Sequence, residues 1–165
     1  MIYLTSDQHF GHIKIMEYEN RPFKTVSEMN DFMITQWNKT VSNKDTVYVL
    51  GDFAWGNKEA VSLFVSMLNG YKILIKGNHD KNSKTWYHDA GFNDVIDGGI
   101  ILDDFYLLTH KPLYMNENMP FVNIHGHTHS MCFDSKLYVN VGVDVLNYKP
   151  ILFNEIKERY KDGDN

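Results

Sequence analysis

The chain has 165 residues, of which 43% are hydrophobic and 14% aromatic, enough to bury one sizeable core. Its formal net charge of -5 argues against a broad basic surface, so we do not expect non-specific binding to nucleic acid. The single cysteine excludes an internal disulfide, no apolar run approaches the roughly 18 residues of a membrane span, and no signal peptide is visible. We therefore expect a cytoplasmic protein without membrane association.

The first half of the chain alternates apolar runs of strand length with helical patterns. The runs "MIYLTS", "TVYVL" and "YKILIK" predict three buried strands. Thr25 and Glu28 form a capping box before the first main helix, and a second helix is predicted over about residues 58–68, after the cap Asn57. The resulting β-α-β-α-β order predicts a parallel sheet with right-handed crossovers.

The second half of the chain predicts strands that follow one another closely. After a short helix over residues 83–90, we expect strands at "DVI", "GIIL", "FYLLT", "VNI" and "LYVNVGV". Asp103 and Asp104 predict a hairpin turn between two of these strands. A last helix is predicted from about Phe153 to Tyr160. We expect one α/β domain over residues 1–161 and a frayed polar tail over residues 162–165.

Polar side chains follow five of the predicted strands, at the point where each strand ends. They are Asp7, His9, Asp52, Asn78, His79, His110, His127 and His129. Because ligands of open α/β sheets gather outside the carboxyl ends of the strands, we expect these side chains to converge on one crevice. Residues i and i+2 of an extended segment face the same side, which would direct Asp7 with His9, and His127 with His129, into it.

The residue types in this set predict a metal site. Carboxylate, imidazole and amide groups without thiolate suit manganese, iron, zinc, cobalt or nickel, rather than copper(I) or an iron–sulfur cluster. Any one of these residues alone is more often a turn residue or a hydrogen-bonded surface residue. The same feature at five strand ends is hard to attribute to chance. The seven residues other than His79 are more ligands than one ion needs, whereas two ions that share a carboxylate would use all seven.

The motifs "DQH", "GDF", "GNHD", the isolated histidine of "THKPL", and "GHTH" occur in this order along the chain. Together they resemble the calcineurin-like metallophosphoesterase superfamily, in its small single-domain branch. The resemblance implies two packed β-sheets flanked by helices and a centre of two divalent ions (Mn²⁺, Fe²⁺ or Fe³⁺, Zn²⁺, Co²⁺ or Ni²⁺). The implied residues are Asp7, His9 and His129 for the first ion, Asn78, His110 and His127 for the second, Asp52 as the bridge, and His79 as the catalytic histidine.

A centre of this kind predicts hydrolysis of phosphoesters. Two ions about 3.5 to 4 Å apart lower the pKa of a shared water towards ~7, and the resulting bridging hydroxide attacks phosphorus. As an imidazolium, His79 would assist the leaving oxygen. The chain lacks the Asp-Arg-Gly sequence that follows "GD" in the protein phosphatases of the superfamily, and it is too short for a large lid. Both features favour small phosphoesters.

Phosphodiesters, including nucleotide-type bonds, are slightly preferred as substrates. The alternatives are a phosphomonoesterase acting on small phosphates and a non-catalytic metal-binding scaffold with the same fold. All seven implied ligands and His79 are present, which favours catalysis over the scaffold. The oligomeric state and the metal are left open.

Five further residues each have two interpretations from the sequence. Arg21 either binds phosphate or forms an ion pair, and His12 either contacts the substrate phosphate or caps a loop. Trp55 either stacks on a nucleobase or packs under its loop. Asp144 either supports a ligand histidine or pairs at the surface, and His125 either supports the site or is a core histidine whose hydrogen bonds are satisfied.

Overall fold

The computed structural model describes residues 1–161, so the predicted tail over residues 162–165 lies outside the described part. Nine strands and five helices occur within residues 1–161. In chain order they are β1 (Ile2–Thr5), α1 (Ile15–Tyr18), α2 (Val26–Thr40), β2 (Thr46–Val49), α3 (Lys58–Met67), β3 (Tyr71–Ile75), α4 (Lys84–Asp89), β4 (Asp94–Ile96), β5 (Gly99–Leu102), β6 (Tyr106–Thr109), β7 (Val122–His125), β8 (Tyr138–Asn140), β9 (Ile151–Leu152) and α5 (Phe153–Lys161).

The strands form two sheets. The five-stranded sheet has the order β4-β3-β2-β1-β9, in which β1 to β4 are parallel and β9 is antiparallel to β1. The four-stranded sheet has the order β5-β6-β7-β8, with an antiparallel β5–β6 pair and parallel pairs beyond it. The predicted parallel start is confirmed.

The two sheets pack against each other across a shared apolar core. Leu4 of β1 and Ile75 of β3 belong to the same buried cluster as Leu108 of β6 and Ile124 of β7. All four side chains are 0% exposed. The predicted α/β fold of two packed sheets flanked by helices is confirmed.

Helices cover the other face of the five-stranded sheet. Met29, Met33 and Trp37 lie at helical spacing on α2 and are buried in one cluster with Val47 of β2. The predicted cap is present, because the Thr25 side chain accepts a hydrogen bond from the backbone N–H of Glu28 at 3.1 Å. An Asn57 cap starts α3 in the same way. None of the helices within residues 1–161 has the length and apolar character needed to cross a membrane.

The structure differs from the predicted elements at three places. The sequence analysis did not predict α1 and β9, because elements of four and two residues carry no periodic pattern. The strand predicted at "LYVNVGV" is confined to Tyr138–Asn140, and Gly142 beyond it forms an isolated bridge with Ser6. The hairpin turn at Asp103 and Asp104 is confirmed, with φ angles of 49° and 54°.

Candidate metal centre

The eight strand-end residues singled out in the sequence come together at the carboxyl edge of the two sheets. Within residues 1–161, three groups of carboxylate and imidazole side chains each have ligand-type atoms within 4.8 Å of one another, and two of these groups consist of the strand-end residues. The first group is Asp7, His9 and His129, and the second is Asp52, His110 and His127. Asn78 adjoins the second group, because its Oδ1 lies 2.9 Å from His110 Nε2. His79 lies at the margin, with 40% of its side chain exposed.

The Asp52 carboxylate lies between the two groups. Its Oδ2 is 3.7 Å from Nε2 of His9, a member of the first group, and 3.4 Å from Nε2 of His110, a member of the second. It is also 3.9 Å from His79 Nε2. The other oxygen, Oδ1, accepts a hydrogen bond from the backbone N–H of His79 at 2.9 Å, which fixes the orientation of the carboxylate. A single side chain therefore faces both sets of potential ligands.

Five of these residues have left-handed backbone conformations, which are uncommon outside glycine. Their φ angles are 61° for Asp7, 51° for His9, 54° for Asp52, 68° for His127 and 49° for His129. The expectation that the paired residues lie on extended segments is therefore wrong, because β1 and β7 end before them. Their side chains converge because the loops turn sharply here. Such conformations cost about 1–3 kcal/mol each and cluster at functional sites.

The loops after β1 and β7 are in direct contact. Asp7 Oδ2 accepts a hydrogen bond from the backbone N–H of His127 at 2.8 Å. A Cβ atom at Gly126 would collide with the Ser6 side chain and the Asp7 carboxylate, so only glycine fits at this position. The two loops hold each other in place, and with them the ligands that each carries.

Several buried polar atoms in the centre lack a protein partner. Asp7 Oδ1 and His9 Nε2 form no hydrogen bond with any atom of residues 1–161. Burial raises the pKa of Asp7 to about 6 and lowers the pKa of His9 to about 3. Burial would also raise the pKa of Asp52, but His110 and the His79 backbone N–H outweigh it and lower that pKa to about 2. A cation would satisfy these atoms, so the donor set fits divalent metal ions.

Arg21 lies beneath the centre, and its guanidinium is fully buried. It donates to both oxygens of Asp144, at 2.8 and 3.0 Å, and to the backbone carbonyl groups of Asp7 and Gln8, each at 2.8 Å. The predicted contact with phosphate has no support in this geometry, because these donors already bind protein atoms. Asp144 also accepts from His129 Nδ1 at 3.1 Å, which matches its interpretation as support for a ligand histidine.

Asp80 is a buried residue whose role the sequence did not indicate. Its Oδ2 accepts hydrogen bonds from the backbone N–H groups of Asp52 at 2.7 Å and Gly77 at 2.8 Å. Asp80 thereby ties the loop after β2 to the loop after β3. A carboxylate that binds the backbone of a distant loop leaves no local pattern in the sequence.

His12 and His125 have different neighbours. The His12 ring is 5.5 Å from the His9 ring and stacks on Trp55 at 4.8 Å. His125 is buried, with Nδ1 at 2.8 Å from the Gly126 carbonyl oxygen and its ring beside Phe133. One ring nitrogen of His125 is thus paired, whereas the buried Nε2 has no hydrogen-bond partner within residues 1–161, so His125 is a buried histidine that is only half satisfied.

No protein-family model matches the chain. The chain is 36% identical over 172 residues to the uncharacterized protein MJ1445 of Methanocaldococcus jannaschii, an alignment covering 98% of this chain and 92% of that protein. The chain belongs to the same family as MJ1445. A more distant relative, the gene 66 protein of Mycobacterium phage D29, is 25% identical over 199 residues, covering 98% of this chain and 96% of the phage protein.

Two solved structures resemble the fold. The protein of unknown function AQ665 from Aquifex aeolicus superimposes with a TM-score of 0.74 and 27% identity, over 96% of this chain and 98% of that chain. The Pseudomonas putida nuclease MPE superimposes with a TM-score of 0.52 and 20% identity, over 78% of this chain and 61% of that chain. The architecture of this chain therefore matches nearly all of AQ665, and the likeness to the nuclease concerns the fold alone.

Proposed function

We propose that the protein is a dinuclear metal-dependent phosphoesterase of the calcineurin-like type, with residues 1–161 as its single domain. The observation that carries the proposal is the position of the Asp52 carboxylate between two groups of ligand-type side chains. The fold likeness to a nuclease, an enzyme that cleaves phosphodiesters, supports the same conclusion. The proposed ligands are Asp7, His9 and His129 for one ion, Asn78, His110 and His127 for the other, and Asp52 for both.

The chemistry follows from what each side chain can do. Two divalent ions bound here would activate water and neutralise the charge of the phosphate oxygens. Buried Asp7 and His9 present unpartnered atoms for binding an ion, and the hydrogen bond from the His127 backbone N–H to Asp7 Oδ2 keeps the Asp7 carboxylate from turning away. His79 is half-exposed at the margin of the centre, where its ring can donate a proton to a leaving oxygen. The bond from its backbone N–H to Asp52 holds that ring beside the ligands.

Grooves on two sides of the centre favour diesters over monoesters. One groove, of about 480 Å³, is lined by Asn78 and His110 together with Lys111. The other, of about 500 Å³, is lined by His79 and Trp55. A phosphodiester carries one substituent on each side of phosphorus and can place one in each groove, whereas a monoester uses only one.

The test combines metal analysis with hydrolysis of bis(4-nitrophenyl) phosphate and 4-nitrophenyl phosphate. We expect two equivalents of metal per chain and faster turnover of the diester. His79→Ala should slow the diester reaction by about 10²- to 10⁴-fold and leave the metal content unchanged. The matched control is His88→Ala, which removes the histidine near the end of α4.

Two outcomes would contradict the proposal. A parent protein that binds two equivalents of metal and hydrolyses neither ester, with any of the five candidate metals, would be a scaffold rather than an enzyme. A His79→Ala variant as fast as the parent would remove His79 from the mechanism while leaving the metal centre in place.

A further inference from the structure

One of the two grooves is lined by exposed aromatic side chains. Trp55 is 53% exposed and Tyr18 is 64% exposed, although large aromatic residues are highly buried on average. Together with His12, Lys14 and His79 they line the groove of about 500 Å³. This volume is within the usual range of small-molecule sites. A contiguous apolar surface beside a polar centre indicates a place for a planar, apolar part of a ligand.

The groove and the proposed centre are built from the same two loops. The loop after β1 carries His9 and then Phe10, and the loop after β2 carries Asp52 and then Trp55. The backbone N–H of Trp55 donates to the Phe10 carbonyl at 2.7 Å, which pairs the loops. Gly11 has a φ of 76°, and a Cβ atom there would lie 3.0 Å from the Trp55 carbonyl oxygen. The aromatic surface is thus fixed relative to the ligands before any substrate binds.

Trp55 is supported from one side and remains accessible. The His12 and Trp55 rings are stacked, with centroids 4.8 Å apart and an interplanar angle of 13°. About half of the Trp55 side chain is nevertheless exposed. The Trp55 ring is also 5.9 Å from the ring of His79. A planar group resting on Trp55 would therefore lie next to the side chain proposed to protonate the leaving oxygen.

We propose that Trp55, backed by His12, is a stacking platform for a nucleobase on the leaving-group side of the scissile phosphate, so that the substrates are nucleotide-type diesters. This inference rests on the proposed phosphoesterase function. Stacking on an aromatic side chain suits any base, because every base has a π-face, and it contributes a substantial part of the affinity for single-stranded nucleic acid. If Trp55 is such a platform, the affinity for a ligand depends on whether it carries a base and depends little on which base it is.

The test measures binding, with AMP and ribose 5-phosphate as probes that differ only in the base. Isothermal titration calorimetry on the Mn²⁺-loaded protein should show AMP binding about fivefold or more tightly than ribose 5-phosphate. Trp55→Leu should reduce this ratio to about one, and Trp55→Phe should retain most of it. Tyr71→Leu is the matched control, since Tyr71 is 49% exposed at the amino end of β3, away from the groove. Its ratio should equal that of the parent.

The outcomes separate this inference from the proposed function. Equal affinity of the parent for both probes, or an unchanged ratio in Trp55→Leu, would overturn the platform. If neither probe binds while bis(4-nitrophenyl) phosphate is hydrolysed, the platform fails and the phosphoesterase stands. If the base-dependent affinity is present and no ester is hydrolysed, the platform stands and the phosphoesterase fails.

A further titration identifies the source of the base. Tighter binding of a five-nucleotide thymidylate than of TMP would indicate single-stranded nucleic acid as the ligand. Equal affinities would indicate a free nucleotide or its small esters. Either result supports the platform when Trp55→Leu weakens the binding of both probes, and a variant that binds both as tightly as the parent would overturn it.

Discussion

The two edges of the five-stranded sheet differ in how they satisfy buried polar groups. At the amino edge, Asp45 binds the amino group of Met1 at 2.6 Å and accepts hydrogen bonds from the backbone and hydroxyl of Ser42. The buried ammonium of Lys72 donates to two backbone carbonyl groups, each at 2.8 Å. Both groups therefore find partners within the protein, a carboxylate with an amino group in one case and an ammonium with carbonyl groups in the other, and these contacts stabilise the turns between elements.

The carboxyl edge has the opposite character. Asp7 Oδ1 and His9 Nε2 are buried without a partner in residues 1–161, and left-handed backbone conformations are concentrated there. Strain and unsatisfied atoms persist only where the surrounding structure enforces them. One edge therefore pairs its buried polar groups within the protein, whereas the other leaves ligand-type atoms for the proposed ions, a difference that can be tested by changing matched carboxylates at each edge.

The largest expected effect comes from replacing the carboxylate between the two ligand groups. Asp52→Asn should reduce diester hydrolysis about a thousandfold or more, because a bridging charge worth several kcal/mol is lost. Metal analysis should give fewer than two equivalents per chain. Asp45→Asn, the matched change at the amino edge, should keep full activity and metal content. Near-parental activity in Asp52→Asn would remove the shared carboxylate from the proposal.

A smaller effect is expected from replacing Asp144, which supports the candidate ligand His129. Asp144→Asn should weaken metal binding by about 10- to 100-fold, because the carboxylate orients His129 and neutralises the buried Arg21. The measurement is a competitive titration with a chelator, at a temperature where circular dichroism shows the variant folded. Asp89→Asn, which breaks the exposed pair with Lys58, is the control. Equal metal affinities of the two variants would assign Asp144 a purely structural role.

Removing the metal should show directly how much the unpartnered polar atoms of the carboxyl edge destabilise the fold. Saturating Mn²⁺, at about 100 times its Kd, should stabilise the metal-free protein by about 2.7 kcal/mol and raise its Tm by roughly 5–10 °C. Differential scanning calorimetry of the parent and of Asp52→Asn tests this expectation. The variant should show little shift. A parent protein with the same Tm in Mn²⁺ and in chelator would argue against a metal at this edge.

The smallest effect should appear at the amino edge and depend on pH. Hydrogen bonds from the amino terminus and from Ser42 lower the pKa of Asp45 to about 2. Because this pKa is below the ordinary value of about 4, the carboxylate stabilises the fold above pH ~4, and its contribution is lost as the pH falls towards 2. Asp45→Asn should lower the Tm by about 2–4 °C at pH 7. Thermal melts should show the Tm difference between the parent and Asp45→Asn narrowing below pH ~4. A Tm difference that stays constant with pH would contradict the stabilising role of the Asp45 carboxylate.

Local signals explain which parts of the fold the sequence predicts. The Thr25 cap, the Asn57 cap and the turn at Asp103 and Asp104 each involve residues within a few positions of one another, and each is present in the structure. The two-residue strand β9 was missed for the converse reason, because it depends on pairing with β1 and carries almost no pattern of its own.

Some residues of the candidate site likewise have a local signal in the sequence, and others do not. A polar residue after an apolar run is visible in the sequence, so the residues at the strand ends could be singled out. Arg21 and Asp144 are 123 positions apart, and only the folded chain shows that they form a buried pair beneath the ligands. The left-handed conformation of the ligands was also unpredictable, because it is imposed by contacts between loops such as that of Asp7 with His127.

The position of β9 has a consequence for the order of events during synthesis. Ile151 pairs with Leu4 of β1, and it joins Phe153 and Ile156 in the core between the two sheets. The earliest strand of the chain therefore lacks an edge neighbour until residues 151–156 have left the ribosome. Because Asp7 directly follows that strand, a nascent chain completes its core and the surroundings of the proposed metal centre only after translation has passed this segment.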